Sequence, residues 1–576
     1  MRLINTATLI FEEFIGSHIP PYAILSHTWE DDEVTFSDFA RPYRDRKAGW
    51  DKIAQSCRLA LKEGLRYAWV DTCCIDKSSS AELTEAINSM FRWYGRAKVC
   101  YAYLADLEPG KEMKDCRWFT RGWTLQELIA PKDVYFFDGN WKSIGTKVGM
   151  VATLSAITGI NIAVLKGWHQ LQDVAVAVKM SWAARRNTTR IEDTAYCLLG
   201  IFDVNIPLLY GEEMKAFRRL QEEIIKSTAD FSIFAWKLPR PDTVTGRIFC
   251  GVLATSPAAF ANSTTFITRR GEDLRDFSCT NSGVRIQCQV LSDEIPGKRT
   301  YGYVLPLNCS FDPKRSVGIR LRKCGPDQFL REDPFELVEY GMLPWPNYPR
   351  VRYLLTEVPF IVPMVRGRNF GPEKISERDM TFVIPWLRTH ALQIDIPPDM
   401  RVHDAWPWSR CDDEDRAFFV ISDGPWDTAM MRFTVKIQIA PHGAVGALRD
   451  VEFDVVFCAL GWSRKDPNQV RYTLLDYGAN ASQLRDVQSQ ISDWDHNRYQ
   501  FAEVLEHYKI PEASESHTEL SPASFGGHAV VSFTHEWIYD PSICRNDHWK
   551  IKFSIELRDG LADIKAPVWE PGTWMI

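Results

Sequence analysis

Polar side chains that could bind or transform a small ligand are concentrated in four short segments near the start of the chain. Three segments end or follow short apolar runs typical of strands, and the fourth opens a predicted helix. The segments are 26–29 (SHTW), 71–77 (DTCCIDK), 103–106 (YLAD) and 121–128 (RGWTLQEL). In an open α/β sheet, ligands bind beyond the carboxyl ends of the strands. We therefore predict that the four segments meet at one edge of such a sheet.

Glu127 is the most informative side chain of the four segments. It lies four residues after Trp123, and therefore on the same face of the predicted helix. The apolar residues of this helix point elsewhere, toward the sheet: Leu125, Leu128 and Ile129. A carboxylate in this position can overhang the edge of the sheet. The alternative is a solvated surface acid.

The other candidates also have purely structural interpretations. His27 can be a histidine at the edge of the core that hydrogen-bonds to the backbone. Asp71 and Asp76 can cap the loop and the helix that follow them. The tryptophans of these segments can serve packing instead of ligand stacking: Trp29, Trp69 and Trp123. The residues alone leave these alternatives open.

Strands and helices alternate around these segments. Strands are predicted at 22–26, 67–71, 99–104 and 134–137, and helices at 50–61, after Ser79, and at 121–130, where Pro131 ends the helix. Ser79 and Glu82 have the spacing of a capping box. Continuous apolar strands separated by amphipathic helices are typical of a parallel sheet that is covered on both faces. We predict a small, doubly wound, flavodoxin-like α/β domain over residues 1–145.

The pattern of the chain changes twice after this domain. Residues 146–236 are predicted to be a helical extension, with the best helices at 173–185, 190–202 and 212–226. A linker that contains proline, KLPRPD at 237–242, opens the remainder of the chain, 237–576. There, polar and apolar residues alternate, most clearly at 284–290, 433–439 and 549–555. This period of two is typical of half-buried strands, so we predict one or two antiparallel sandwich or barrel-like domains.

Composition limits the classes of function. The 576 residues carry 68 Lys and Arg against 75 Asp and Glu, and a net charge of −7 argues against nucleic acid as a partner. The 14 cysteines show no pair of C-x-x-C motifs, so we predict neither a zinc site nor a disulfide scaffold. The opening residues show no apolar run long enough for a signal peptide, and no apolar run of about 20 residues occurs, so we expect a cytoplasmic protein without a membrane span.

Three blocks of the sequence resemble the signature blocks of the HET domain, the heterokaryon-incompatibility domain of filamentous fungi. They are YAILSHTW at 22–29, WVDTCCIDK at 69–77 and FTRGWTLQELIAP at 119–131. The opening MRLINT and the block RIEDTAYCLLGIF at 190–202 are also similar to stand-alone fungal HET proteins. The resemblance covers residues 1–236 and implies an intracellular incompatibility or immune effector that causes cell death.

HET domains are regarded as distant relatives of Toll/interleukin-1 receptor (TIR) domains, and this second resemblance implies a reaction. Plant-type TIR domains carry a Trp-Cys-x-x-Glu-Leu block whose glutamate is needed to cleave NAD. Residues 123–128 are similar in their Trp, Glu and Leu, with Thr124 in place of the cysteine. The resemblance implies that Glu127 is catalytic. It also implies that substrate is bound by polar residues of the segments: Ser26, His27, Trp29, Asp71, Asp76, Lys77, Arg121 and Trp123.

A single carboxylate suffices for hydrolysis of NAD or NADP. Nicotinamide leaves as a neutral molecule, so no general acid is needed, and the carboxylate can stabilise oxocarbenium-like charge on the ribose. His27, Asp71 and Lys77 could then bind the ribose or the diphosphate. No G-x-G-x-x-G motif follows the first strand, which argues against a hydride-transferring dehydrogenase. NAD or NADP is thus expected as a substrate, and no cofactor or metal is expected.

The resemblance also implies partners. Self-association is expected, because TIR-like sites are often completed by a neighbouring subunit. Apart from the resemblance, the β-rich region could recognise a protein or glycan trigger or cover the site. No G-x-x-x-x-G-K-[ST] nucleotide-switch motif occurs in the chain, so we expect this region to restrain the HET domain. The alternative function is a non-catalytic HET module for signalling and oligomerisation, joined to a β-rich recognition domain.

Overall fold

A computed structural model of the chain describes residues 1–240, with the exception of residue 17, and continues in segments to residue 559. Up to residue 356 these segments are 249–268, 277–288, 290–292, 302–312, 315–325, 327–340 and 350–356. Beyond residue 388 the description is of strands and their pairing, together with residues 481–482.

A seven-stranded sheet forms the centre of the N-terminal domain. Its strands are β1 (Arg2–Asn5), β2 (Phe11–Glu13), β3 (Ala23–His27), β4 (Tyr67–Trp69), β5 (Val99–Tyr103), β6 (Val134–Phe137) and β7 (Ser143–Thr146). They lie in the order β2-β1-β4-β3-β5-β6-β7. The inner strands β4, β3, β5 and β6 are parallel, and the outer strands pair antiparallel. Every residue of β3 and β5 is buried, because both faces of the sheet are covered.

The four strands predicted in this domain are confirmed, and they form its parallel centre. The sheet as a whole is mixed, since its three outer strands, which were not predicted, pair antiparallel. These outer strands have only three or four residues each, too short to show a clear period. The flavodoxin-like and TIR-like topology remains a prediction.

Six helices accompany this sheet: α1 (Phe36–Phe39), α2 (Trp50–Lys62), α3 (Asp71–Cys74), α4 (Ser80–Arg96), α5 (Arg117–Thr120) and α6 (Thr124–Ile129). The hydroxyl of Ser79 accepts the amide of Glu82 at 3.3 Å and caps α4. The second bond of the predicted capping box is not formed, because the Glu82 carboxylate accepts the amide of Asp76 at 2.9 Å. The helix predicted at 121–130 begins later than expected. The amide of Gly122 donates outside the helix, to the carbonyl of Asn187 at 2.9 Å.

The segment after the sheet is helical, as predicted. Its helices are α7 (Val151–Thr158), α8 (Ile162–Leu165), α9 (Val176–Ala183), α10 (Asp193–Tyr196), α11 (Leu199–Phe202) and α12 (Lys215–Ser227). Helix α12 buries its predicted apolar face: Phe217, Leu220, Ile224 and Ile225. The single helix predicted at 190–202 is instead two short helices, α10 and α11. In the described part of the chain, no helix combines the length and apolarity that a membrane span requires.

A ten-stranded sheet follows the helical segment. Its strands are β8 (Phe249–Cys250), β9 (Ile267–Thr268), β10 (Phe277–Thr280), β11 (Gly283–Cys288), β12 (Leu291–Ser292), β13 (Gly302–Asp312), β14 (Arg315–Gly325), β15 (Gln328–Glu332), β16 (Val338–Tyr340) and β17 (Arg350–Leu354). One continuous apolar core joins the first sheet, the helical segment and this sheet. Two hydrogen bonds between Gln221 of α12 and the backbone of Ala254 hold the helices and the β-rich region together.

Two further sheets form the rest of the described chain. Their strands are β18 (Thr389–Asp395), β19 (Arg401–Trp406), β20 (Cys411–Asp412), β21 (Ala417–Ile421), β22 (Ala429–Ile439), β23 (Arg449–Trp462), β24 (Val470–Asp476), β25 (His517–Leu520), β26 (Ala529–Ile538) and β27 (Trp549–Asp559). The strand orders are β20-β21-β18-β27-β26-β25 and β19-β22-β23-β24. The predicted β-rich region is confirmed, and most of its pairs are antiparallel. Its predicted sandwich or barrel form remains a prediction.

Candidate functional site

The parallel strands bring three of the four polar segments together at their carboxyl ends. Residues of β3 pair in register with β5, so that His27 lies opposite Tyr103. Asp71 follows β4, on the other side of β3. The Nε2 atom of His27 lies 3.1 Å from Oδ1 of Asp71, and the indole nitrogen of Trp29 donates to Oδ2 at 2.8 Å. Both oxygens of the Asp71 carboxylate are therefore engaged, one by the last residue of β3 and one by a residue just after it.

The carboxyl group of Glu127 lies beneath this edge of the sheet, with 5% of the residue exposed. Ser26 of β3 donates its hydroxyl hydrogen to Oε2 of Glu127. The hydroxyl group of Tyr94, which donates to the carbonyl of Leu25 at 2.9 Å, is a further neighbour of the Glu127 carboxyl group. Glu127 is thus neither a solvated surface acid nor a side chain that overhangs the edge. It is a buried, hydrogen-bonded carboxyl group.

Helix α6, which carries Glu127, is held at both ends. At its start, Arg186 from the helical segment donates to the carbonyl of Arg121 at 2.8 Å and to the hydroxyl of Thr124 at 3.0 Å. At its end, the ammonium of Lys147 donates to the carbonyls of residues 129 and 131, at 3.1 and 2.8 Å. A cation at a helix C-terminus satisfies carbonyls that have no partner within the helix. These contacts fix the position of α6, and with it the position of Glu127.

The two carboxyl groups of the site have opposite pKa shifts. Burial, and next the negative charge of Asp71, raise the pKa of Glu127 to about 8, while hydrogen bonds and Arg121 oppose this rise. Burial would also raise the pKa of Asp71, but the hydrogen bond and charge of His27, with help from Lys77, hold it below its ordinary value. At neutral pH, Asp71 is therefore ionised and Glu127 is largely protonated. Such a division is typical of acid and base roles in active sites.

Two cations flank the indole ring of Trp29 at the surface above Asp71. The ammonium of Lys77 lies 3.3 Å from the ring centroid, and the guanidinium carbon of Arg121 lies 5.6 Å from it. The residue Trp29 is 38% exposed, so this arrangement borders on solvent. Partial desolvation lowers the pKa of Lys77. Two neighbouring cations beside an exposed aromatic ring can bind a phosphate group and stack against a planar ring.

Two of the predicted site residues are placed differently. The carboxylate of Asp76 accepts the amide and the hydroxyl of Ser78 at 3.0 and 2.6 Å, so it stabilises the turn before α4. The side chain of Trp123 is half-buried and hydrogen-bonds to Asp193 of α10. The structure therefore brings Ser26, His27, Trp29, Asp71, Lys77, Arg121 and Glu127 together, and ties Trp123 to the helical segment.

Several residues that shape the site were not predicted. They are Trp118 and Tyr94, which surround the Ser26–Glu127 pair, and Arg186 and Asp193, which tie α6 and Trp123 to the helical segment. For Tyr94, the sequence offers one usable signal: a tyrosine in an apolar helical stripe needs a partner for its hydroxyl group when it is buried. The partners of Arg186 are more than 60 residues away in sequence, which no local pattern reveals.

The fold and the site define an α/β domain with a buried acid at the carboxyl edge of its sheet. The family model of the heterokaryon incompatibility protein (HET) matches residues 22–114, and a domain of unknown function, DUF8212, matches residues 215–247. The chain is also 47% identical over 238 residues to the vegetative incompatibility protein HET-E-1 of Podospora anserina. The chain thus carries a heterokaryon-incompatibility (HET) domain, and the predicted HET domain is confirmed.

These similarities cover only parts of the proteins. The match to HET-E-1 spans 39% of this chain and 18% of that protein. The HET match contains three of the four polar segments and ends before the segment that carries Glu127. No solved structure matches the chain significantly.

Proposed function

We propose that this chain is a fungal incompatibility effector that acts in the cytoplasm and causes cell death by hydrolysing NAD or NADP. The HET domain and the similarity to a vegetative incompatibility protein support the role in incompatibility. The observation that carries the enzymatic part is the buried Glu127 carboxyl group, which lies below an edge lined by Asp71, Trp29 and two cations.

The proposed reaction breaks the bond between C1′ of the ribose and the nicotinamide nitrogen. The bonding electron pair goes to the nicotinamide ring, which leaves as a neutral molecule, and water adds to C1′ with release of one proton. Positive charge develops on the ribose in the transition state. An ionised Glu127 beside the ribose stabilises this charge in a site of low dielectric constant. The products are nicotinamide and ADP-ribose, or its 2′-phosphate when the substrate is NADP.

Ionisation of Glu127 is coupled to substrate binding in this proposal. The pKa of about 8 means that the carboxyl group is mostly protonated at neutral pH in the free protein. The nicotinamide ring of NAD carries a positive charge, and a positive charge next to a carboxyl group favours its ionised form. Binding of the substrate therefore releases the proton of Glu127 and creates the carboxylate that the reaction needs.

The remaining residues hold the substrate in the proposed complex. Lys77 and Arg121 bind the diphosphate, and the exposed ring of Trp29 stacks against a planar ring of the nucleotide. Asp71 keeps His27 and Trp29 in position through its two hydrogen bonds. Because only 5% of Glu127 is exposed, the residues above it must move before a substrate reaches it. We propose self-association, driven by a trigger that the β-rich region recognises, as the event that opens the site.

The alternative function is a non-catalytic module for signalling and oligomerisation. The burial and hydrogen bonding of Glu127 are the observations that favour this alternative, because acids with a structural role are also buried and paired. An assay of NAD consumption separates the two functions. Purified full-length chain is tested alone and under conditions that drive oligomerisation, with Glu127→Gln as the variant. Loss of NAD that depends on Glu127 supports the enzymatic function. If the variant, expressed in cells, kills them without loss of NAD, the result supports the non-catalytic module.

A further inference from the structure

Ser26 is a fully buried link between Glu127 and a tryptophan in another element. The residue is 0% exposed, as is Trp118 of α5. The indole nitrogen of Trp118 donates to Oγ of Ser26 at 2.8 Å, and the same Oγ donates to Oε2 of Glu127. The single hydrogen of the Ser26 hydroxyl is thus already used within the protein. A substrate has no access to this hydroxyl group.

When Glu127 is ionised, the direction of donation along this chain is fixed by the chemistry of its three groups. An indole N–H group can only donate, so Oγ of Ser26 must accept from Trp118. An ionised Glu127 can only accept, so in that state the hydrogen of the Ser26 hydroxyl points to Glu127, where it stabilises the carboxylate more strongly than a neutral carboxyl group. The chain therefore runs one way, from Trp118 through Ser26 to Glu127.

Packing holds the donor at the head of this chain. The ring of Trp118 makes edge-to-face contacts with Phe119 and Phe136, at centroid distances of 4.9 and 5.6 Å. Its carbonyl accepts the hydroxyl of Thr124, which lies on the same helix as Glu127. The indole is consequently fixed relative to both β3 and α6, and it cannot turn away from Ser26 without disturbing Glu127.

We infer that Trp118 and Ser26 are positioning residues, which orient the Glu127 carboxyl group and favour its ionised form through this hydrogen-bond chain. Ser26 is therefore reassigned from the substrate-binding residues to the support of the catalytic acid. The expected effect of these two residues on NAD turnover rests on the proposed function, whereas their expected effect on the ionisation of Glu127 does not. Other titratable groups that act on Glu127 come from the neighbouring elements and are left intact by the test: Asp71, Tyr94, Cys100, Arg121 and Arg186.

The test compares two variants with a matched control in the full chain. Ser26→Ala removes the donor to Glu127, and Trp118→Phe removes the donor to Ser26. Trp182→Phe is the control, because Trp182 is 3% exposed and its indole nitrogen has no hydrogen-bond partner among the described residues. Both tryptophan variants lose similar volume, but only Trp118→Phe loses a hydrogen bond.

The first measurement is the ionisation of Glu127 by infrared difference spectroscopy on protein with ¹³C-labelled glutamate, assigned by comparison with Glu127→Gln. A hydrogen bond to a charged group corresponds to roughly a tenfold change in the ionisation equilibrium. We expect half-ionisation of Glu127 to move upward by about one pH unit in Ser26→Ala, and by less in Trp118→Phe. The control variant is expected to titrate as wild type does.

The second measurement is the pH profile of NAD turnover. In Ser26→Ala the rising limb is expected to move to higher pH together with the ionisation of Glu127, so that activity returns in alkaline solution. A titration of Glu127 that is the same in wild type and Ser26→Ala would overturn the inference. Equal shifts of the Glu127 titration in Trp118→Phe and Trp182→Phe would also overturn it, because they would show that packing alone is responsible. If Ser26→Ala does not fold, Trp118→Phe against its control decides the question. A displaced titration in a protein that consumes no NAD would refute the proposed enzyme and leave the hydrogen-bond chain in place.

Discussion

Replacement of Glu127 by glutamine is expected to stabilise the protein at neutral pH while it removes activity. In the folded chain, burial raises the pKa of Glu127 to about 8, against 4.5 for an exposed glutamate. Between these two values the folded state holds a proton that the unfolded state has lost. The free energy of unfolding therefore falls as pH rises through this window. Glutamine has nearly the shape of a protonated glutamate and carries no such penalty.

The size of the effect follows from the same two pKa values. Within the window, the wild-type protein loses about 1.4 kcal/mol per pH unit relative to the variant. From about pH 5.5 to about pH 7.5, the accumulated difference is about 2.7 kcal/mol in favour of Glu127→Gln. For a domain of this size this corresponds to about 5 to 10 °C in the thermal midpoint. Other titrating groups act alike in both proteins, so they cancel in the comparison.

The assay measures thermal unfolding of both proteins by tryptophan fluorescence at these two pH values, alongside NAD consumption. The variant is expected to gain stability relative to wild type as pH rises, and to lose about 10²–10³ in turnover if Glu127 supplies the electrostatic stabilisation. An advantage that is the same at both pH values would refute the buried, protonated state of Glu127. Stabilisation together with unchanged NAD consumption would instead refute only its catalytic role.

Three further predictions concern the surroundings of the site. Lys77→Ala or Arg121→Ala should raise KM for NAD roughly tenfold by loss of a phosphate contact, without a change in thermal midpoint. The control is Lys114→Ala, which removes a lysine paired with the exposed Glu112 and should leave KM unaltered. Gly122→Ala places a methyl group 2.6 Å from Cγ2 of Thr188 and should cost about 1–3 kcal/mol of stability. The second substitution Thr188→Ser removes this Cγ2 atom and should restore part of the loss. Equal thermal midpoints for wild type and Gly122→Ala would contradict the tight contact. A fragment of residues 1–356 should unfold at a higher temperature than a fragment of residues 1–236, because the shorter chain loses the partners of Gln221 and Trp236 in the β-rich region. Equal thermal midpoints for the two fragments would contradict the apolar core that the helical segment shares with the ten-stranded sheet.

The shared core also bears on the predicted restraint of the HET domain. Arg331 of β15 is fully buried and donates to the carbonyl of Phe234 at 3.0 Å, and its guanidinium carbon lies 3.7 Å from the centroid of the Trp236 ring. The indole of Trp236 in turn donates to the carbonyl of Val252 at 2.8 Å. These contacts tie the ten-stranded sheet to the end of the helical segment. The comparison that tests restraint by the later β-rich residues is therefore between the full chain and residues 1–356.

The central part of the fold could be predicted from sequence because its signals are local. Strands β3 to β6 are apolar runs between helices, and the cap of α4 depends on Ser79 and a neighbour three residues away. The outer strands escaped prediction because their stability comes from pairing with β1, β4 or β6 and not from their own pattern. The helix at 121–130 was predicted too long for the same reason, since the amide of Gly122 pairs with distant Asn187.

The candidate site was predictable in its location and less so in its detail. The rule that ligands bind at carboxyl ends of parallel strands placed His27, Asp71 and Glu127 at one edge. Burial of Glu127 was not predictable, because its partner Ser26 is 101 residues away. Asp76 has the same residue type and nearly the same position as Asp71, and only the local turn with Ser78 separates their roles.

Release of nicotinamide from NAD by the purified full chain tests the central proposal most directly. Wild type and Glu127→Gln are compared in a self-associated state, with nicotinamide and ADP-ribose separated by chromatography and thermal midpoints recorded for both. The proposed function predicts equal amounts of the two products from wild type, and almost none from a variant that is folded. Absence of nicotinamide from self-associated, folded wild-type protein, or equal release by the variant, would contradict it.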